Sequence, residues 1–122
     1  MGRANQSLNS HRAWKSDALA EVIQRIRQVA QPEKIILFGS AAREEMGPSS
    51  DLDLLVVAPR GTHRRRLAQT IYRSLIGVGH PVDLVVVTPE DIERYGNAPG
   101  LILEPALREG EVVYERQPAA TG

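Results

Sequence analysis

The sequence predicts a single α/β (α+β) domain. Three observations carry this reading. Short β-branched runs alternate with stretches of helical periodicity, Gly and Pro punctuate most of the junctions, and 122 residues can enclose one core but not two. Hydrophobic residues at 42% and charged residues at 25% are the proportions of a globular chain rather than a disordered one.

Residues 1–11 are polar and aperiodic and read as an N-terminal tail, with one domain over 12–116 and a short C-terminal tail over 117–122. Between residues 12 and 31, apolar side chains recur at Trp14, Ala18, Val22, Ile26 and Val29, with Leu19, Ile23 and Ala30 beside them. That spacing gives a helix with one buried stripe, capped by Ser16 or an earlier Ser and ended by Pro32. Lys34–Phe38 is a short apolar run stopped by Gly39-Ser40 and reads as a buried strand. Ser40 can cap a helical turn reaching Arg43, and residues 46–50 are a loop by composition.

Residues 51–57 form the second strand, closed by Pro59 and Gly61. Thr62 is placed to cap a helix in which Leu67, Ile71 and Leu75 repeat every fourth residue, widened by Ala68 and Ile76. Gly77 and Gly79 stop it, and Pro81 leads into a third strand over Val82–Val87. Thr88-Pro89-Glu90-Asp91 is a helix start with a cap, a proline in the first turn and acids at the positive end of the dipole. Residues 96–100 break that helix. Residues 101–109 make a further helical stretch begun or kinked by Pro105, Gly110 ends it, and Glu111–Glu115 reads as an edge strand. There is no internal repeat.

Fifteen basic residues balance fifteen acidic ones, which argues against nucleic acid as the main ligand. The absence of cysteine excludes disulfides, thiolate zinc sites and thiol nucleophiles together. Apolar runs such as residues 54–58 are far too short to span a membrane, the N-terminus lacks an apolar h-region, and Gln6 stands where a myristoylation signal needs Ser or Thr. The expectation is a soluble cytoplasmic domain. Net charge hides an asymmetry: Arg3, Arg12, Lys15, Arg25 and Arg27 outnumber acids before residue 32, whereas acids dominate residues 89–117. This describes either two solvated faces of opposite sign or a surface biased toward charged partners.

The chemistry concentrates in three aspartates at the starts of strands: Asp51, Asp53 and Asp83. Alternation puts Asp51 and Asp53 on one face, roughly 6.6–6.8 Å apart along the chain, with Leu52, Leu54 and Val56 turned into the core. Asp83 likewise faces opposite to Val82, Leu84 and Val86, so a shared sheet would gather all three carboxylates at one edge. Such a cluster repels itself unless cations neutralise it, and hard Mg²⁺ with oxygen ligands suits it. Two such ions are the usual device for displacement at phosphorus. Single strand-start aspartates often only make turn hydrogen bonds; three together on buried strands ask for more.

Upstream, Gly39 permits close approach of a phosphate to the backbone. Ser40 adds a hydroxyl at a helix N-terminus, and Arg43 a guanidinium one turn later. The pattern Gly39-Ser40, ten residues, Asp51-Leu52-Asp53 coincides by chance about once in 10⁵ starts at ordinary residue usage. It resembles the signature of the DNA polymerase β-like nucleotidyltransferases, and specifically the minimal nucleotidyltransferases (MNT) of HEPN/MNT toxin–antitoxin pairs. The likeness extends over roughly residues 15–116, through residues 35–43, 50–56, 82–91 and 107–114.

The resemblance implies a small mixed sheet flanked by helices, with Asp51 and Asp53 holding metal. Asp83 would be a third ligand and the general base, and Gly39 and Ser40 would bind the β- and γ-phosphates with Arg43 nearby. Glu44 departs from the glycine that often follows the arginine in such proteins. The implied activity is Mg²⁺-dependent transfer of AMP from ATP, with two Mg²⁺, to a hydroxyl. The acceptor would be a tyrosine of a separate HEPN toxin partner, making this chain an antitoxin. A non-catalytic antitoxin acting by steric contact, or a subunit of a split antibiotic- or nucleic-acid-modifying enzyme, are the competing readings.

His11, His63 and His80 lack ligand spacing and read as surface residues. The basic run from His63 to Arg66 reads as a solvated helix turn or as a contact for a nucleotide, RNA or an acidic partner. Trp14 and Tyr72 read as packing residues, and five aromatics are too few for a stacking platform.

Overall fold

The chain runs α1 (Ser10–Val29), β1 (Lys34–Phe38), β2 (Leu52–Val57), α2 (Arg64–Ser74), β3 (Val82–Val87), α3 (Pro89–Tyr95), α4 (Leu103–Glu109) and β4 (Glu111–Glu115). This computed structural model describes residues 10–39, 51–95 and 103–117. Ser40, Arg43 and Glu44, the loop over 46–50 and the break over 96–100 lie outside the described residues, as does the side chain of Trp14.

The four strands form one mixed sheet in the order β3-β2-β1-β4. β1 is antiparallel to both β2 and β4, whereas β2 and β3 are parallel, joined through α2. β4 lies at an edge, as its composition suggested.

Both faces of the sheet are covered. On one, Ile35 and Leu37 of β1 and Leu52, Leu54 and Val56 of β2 pack with Val22, Ile26 and Ala30 from the α1 side and Ile71 and Leu75 from the α2 side. On the other, Ile36, Leu55, Val57 and Val87 pack with Ala106 of α4 and Ile92 of α3. The expected alternation therefore holds for Leu52, Leu54 and Val56. Leu55 and Val57 are buried as well, because β2 is an interior strand between two helical layers.

Several local expectations are corrected. α1 begins at Ser10, two residues inside the expected tail, and ends at Val29, with Ala30 N still donating to Ile26 O at 2.9 Å. Thr62 does not cap α2: its hydroxyl donates to Pro59 O at 2.7 Å within the preceding turn. The cap is His63, whose Nδ1 accepts from Arg66 N at 3.3 Å. α4 begins before Pro105 at Leu103, so the proline sits in its first turn, where no intrahelical N–H is required. The start of α3 is as expected: Thr88 N donates to Asp91 Oδ2 at 2.9 Å and Asp91 N donates to Thr88 Oγ1 at 3.3 Å, a reciprocal box.

Arg25 of α1 ties the helical layer together. Its Nη1 donates to Ser74 O at 3.0 Å and Ile76 O at 2.9 Å, satisfying carbonyls at the end of α2 that have no helical partner. Its Nε donates to Glu21 at 2.8 Å.

Candidate active site

The site lies where β1 ends and β2 and β3 begin. Asp53 stands beside Asp83 in the parallel register and beside Phe38 in the antiparallel one. Directly paired residues share a face of a sheet, so both carboxylates emerge on the face of Leu55, Val85 and Val87. Asp51 is exposed and stands one residue before β2. The structure therefore brings Asp51, Asp53 and Asp83 to one pole of the sheet.

Their electrostatics follow from that convergence. Asp53 is half-buried and its carboxyl is pushed above the usual 3.8, first by desolvation, then by the charges of Asp83 and Asp51. Burial and two like charges thus act in the same direction on one group.

Gly39 closes the pole from the β1 side. Its φ is +75°, a left-handed conformation that L side chains rarely adopt. A Cβ built there would collide with Asp53 Oδ2 and lie 3.3 Å from Asp53 Cγ. The glycine predicted for close approach is thus required for a reason visible within the chain: its bare backbone leaves the Asp53 carboxylate its place.

One contribution was not foreseen. Tyr72 of α2 is 44% exposed rather than packed away, and its hydroxyl accepts from Leu84 N at 2.9 Å. Leu84 N belongs to the peptide that follows Asp83, so the tyrosine pins the outer edge of β3 beside that carboxylate. No local pattern around Tyr72 announces this, because the partner comes from a strand on the far side of a turn.

Divalent metal fits the donor set in kind. The three carboxylates offer only hard oxygen, and a cation would relieve the charge that raises Asp53. As the side chains stand, no three His, Asp or Glu among the described residues are grouped to hold a metal ion. Mutual repulsion opposes such closure.

Two clefts lie away from the carboxylates. One of about 530 Å³ is lined by Val57, Ile92, Leu107, Lys34 and Glu115, at the end of β2 roughly 13 Å along the strand from Asp53. Another of about 560 Å³ lies beside His63, Arg64, Arg65 and Val86. Neither contains an aspartate of the pole.

A mixed four-stranded sheet between helices, with paired carboxylates at one pole, defines an architecture suited to phosphoryl chemistry. The chain belongs to the nucleotidyltransferase domain family, whose model matches residues 19–114. Among solved structures, a Sulfolobus solfataricus protein assigned as a nucleotidyltransferase is 20% identical, with a TM-score of 0.59, over 95% of this chain and 93% of that one. A chain of a toxin–antitoxin assembly solved with AMP-PNP is 22% identical, with a TM-score of 0.50, over 80% of this chain and 73% of that one. At these identities the likeness is one of fold. No curated protein sequence matches the chain. No helix among the described residues is long and apolar enough to cross a membrane.

Proposed function

We propose that the chain transfers AMP from ATP to a hydroxyl, a tyrosine of a HEPN-type toxin partner, and so acts as an antitoxin. The observation that carries this reading is the side-by-side register of Asp53 and Asp83 next to the left-handed Gly39. Membership of the nucleotidyltransferase domain family supports the class of reaction. The structural likeness to a chain of a toxin–antitoxin assembly solved with AMP-PNP supports an adenine nucleotide and a toxin as protein partner, and the HEPN type rests on the sequence resemblance.

In this reading the acceptor hydroxyl oxygen attacks the α-phosphorus of ATP. The new bond is O–P, the bond broken joins the α-phosphorus to the bridging oxygen, and pyrophosphate leaves. Asp83 takes the hydroxyl proton, and its exposure at the start of an edge strand leaves it open to a protein acceptor. Gly39 and Ser40 receive the β- and γ-phosphates, with the Arg43 guanidinium as a further nucleotide contact. Asp51 and Asp53, with Asp83, would hold Mg²⁺, which supplies positive charge to the triphosphate when bound. Tyr72 keeps the β3 peptide beside Asp83 in place.

Isothermal titration with ATP and Mg²⁺ tests the site: Asp51→Ala/Asp53→Ala should lose binding that the wild type shows, and equal binding by both would sink the assignment. Mass spectrometry of the co-expressed partner tests the reaction. AMP-sized additions that vanish with Asp53→Ala are expected, whereas full neutralisation without a mass change would replace transfer by steric binding.

A further inference from the structure

Helix α2 presents an unusual exposed face, which touches the sheet through the Tyr72 hydroxyl at the edge of β3. Arg65, Arg66, Gln69, Tyr72 and Arg73 are exposed and fall within about a third of the helix circumference, and Ile76, just past the C-cap, is exposed as well. The face contains no acid. Ile76 is 76% exposed, the most exposed large hydrophobic side chain among the described residues, and Tyr72 lies one turn before it.

Arg65, Arg66 and Arg73 form no ion pair among the described residues, whereas the neighbouring Arg64 pairs with Asp91 at 3.4 Å. Arg65 and Arg66 also occupy the first turn of α2, where the helix dipole opposes positive charge; the turn contains no acidic residue of its own, and Asp91 pairs with Arg64 rather than with either of them. The position runs against the local preference for Arg65 and Arg66, which find no ion-pair partner among the described residues, and such a break points to an external partner.

We propose that this face docks an amphipathic helical segment of a protein acceptor, with acidic side chains flanking an apolar stripe. The role assigned to that partner rests on the transfer reading above; the surface itself does not. A second copy of the chain is a poor occupant, because a two-fold α2–α2 contact sets arginines against arginines. A nucleic-acid backbone would answer the arginines but leave Ile76 in water. An acidic amphipathic helix meets both, seating its apolar stripe on Tyr72 and Ile76 and its carboxylates against Arg65, Arg66 and Arg73.

The location suits an acceptor. The Tyr72 hydroxyl reaches the backbone of β3 at Leu84, next to Asp83, and the turn after Ile76 leads directly into β3. A segment held on α2 therefore lies beside the open edge of β3, on the sheet face opposite the Asp83 carboxylate, and reaches that carboxylate only around the strand edge.

Fluorescence anisotropy tests the surface with two labelled probes: a synthetic amphipathic peptide of about 18 residues, helical, with Glu flanking a Leu stripe, and a single-stranded oligouridylate of similar charge. The wild type should bind the peptide with a Kd of about 1–100 μM. Arg65→Glu/Arg73→Glu should weaken it about tenfold or more, and Ile76→Ser about three- to tenfold, with the oligouridylate weaker and indifferent to Ile76→Ser. No peptide binding at millimolar concentration, peptide binding unchanged in both variants, or tighter binding of the oligouridylate would each overturn the proposal. ATP titration of the same proteins separates the two readings. Retained ATP affinity in the variants shows an intact fold and nucleotide site, whereas a wild type that binds the peptide but not ATP keeps the surface and loses the transfer reading.

Discussion

Gly39 and Asp53 meet across the β1–β2 pair so closely that a side chain at 39 would have to displace the Asp53 carboxylate. Gly39 holds a left-handed φ of +75°, and a Cβ there would run into Asp53 Oδ2. Gly39→Ala combines strain with displacement of the carboxylate. It should cost about 1–2 kcal/mol of stability, measured by urea unfolding, and abolish ATP binding in a calorimetric titration. Retained ATP affinity would show that the Asp53 position is immaterial to the nucleotide.

Asp83 takes its test from the division between binding and rate. Asp83→Asn should leave much of the ATP affinity, since Asp51, Asp53 and Gly39 remain, while lowering transfer by about 10²–10⁴-fold. Mn²⁺ should partly restore the variant if Asp83 acts as a metal ligand and should not if it acts as the base. Near-normal transfer at saturating ATP with Mg²⁺ would remove Asp83 from the chemistry altogether.

Asp53 carries a cost that depends on pH. Its carboxyl titrates above the usual 3.8 in the folded chain because of burial and the charges of Asp83 and Asp51. The folded state thus holds this proton more tightly than the unfolded state. The penalty is absent well below pH 3.8, grows as pH rises through the folded value, and is complete above it. Asp53→Asn should melt about 1–2 °C higher than wild type at neutral pH, a small gain because the group is only half-buried, and the difference should disappear in acid. A lower melting temperature for the variant at pH 7 would contradict the electrostatic account.

The Tyr72 hydroxyl is separable from its ring. Tyr72→Phe removes the acceptor of the Leu84 N–H while keeping the packing of α2 on β3. Hydrogen exchange at Leu84 should accelerate, with a stability loss of about 1 kcal/mol. Unaltered exchange at that amide would mean that the strand edge does not depend on the bond.

Arg25 holds the end of α2 through two carbonyls at 3.0 and 2.9 Å. Arg25→Ala should cost about 1.5–3 kcal/mol, the range for charge-assisted bonds, and should raise exchange over residues 75–78 ahead of the rest of the helix. Uniform exchange along α2 would argue against a capping role.

Much of this arrangement is written locally. Lys34–Phe38 and Val82–Val87 are short apolar runs bounded by Gly or Pro, and both are strands. The four-residue repeat of Leu67, Ile71 and Leu75 marks the inner face of α2, where Ile71 and Leu75 are buried. Alternation along 51–57 and 82–87 places Asp53 and Asp83 on a common face once the two strands pair, and the structure pairs them in register. What eluded local reading depends on partners distant in sequence or on competition for one group. The burial of Leu55 and Val57 needs the second helical layer, which alternation along β2 does not reveal. Thr62 has a capping hydroxyl, but the Pro59 carbonyl takes it, and His63 assumes the role. Tyr72 looks like a packing aromatic until β3 supplies the N–H that its hydroxyl accepts.

The parallel pairing of β2 and β3 also orders events in time. Parallel neighbours cannot be joined by a tight turn, so Asp53 and Asp83 meet only after the intervening chain has wound into α2 and come back across the sheet. Contacts of such long range close late, because the loop entropy is lost before the pairing rewards it. A chain still emerging from synthesis can carry a finished α1 and a paired β1 and β2 while its carboxylates remain apart. Asp53 and Asp83 become neighbours only with the completed sheet, so a half-made molecule lacks the carboxylate pair on which the proposed transfer rests.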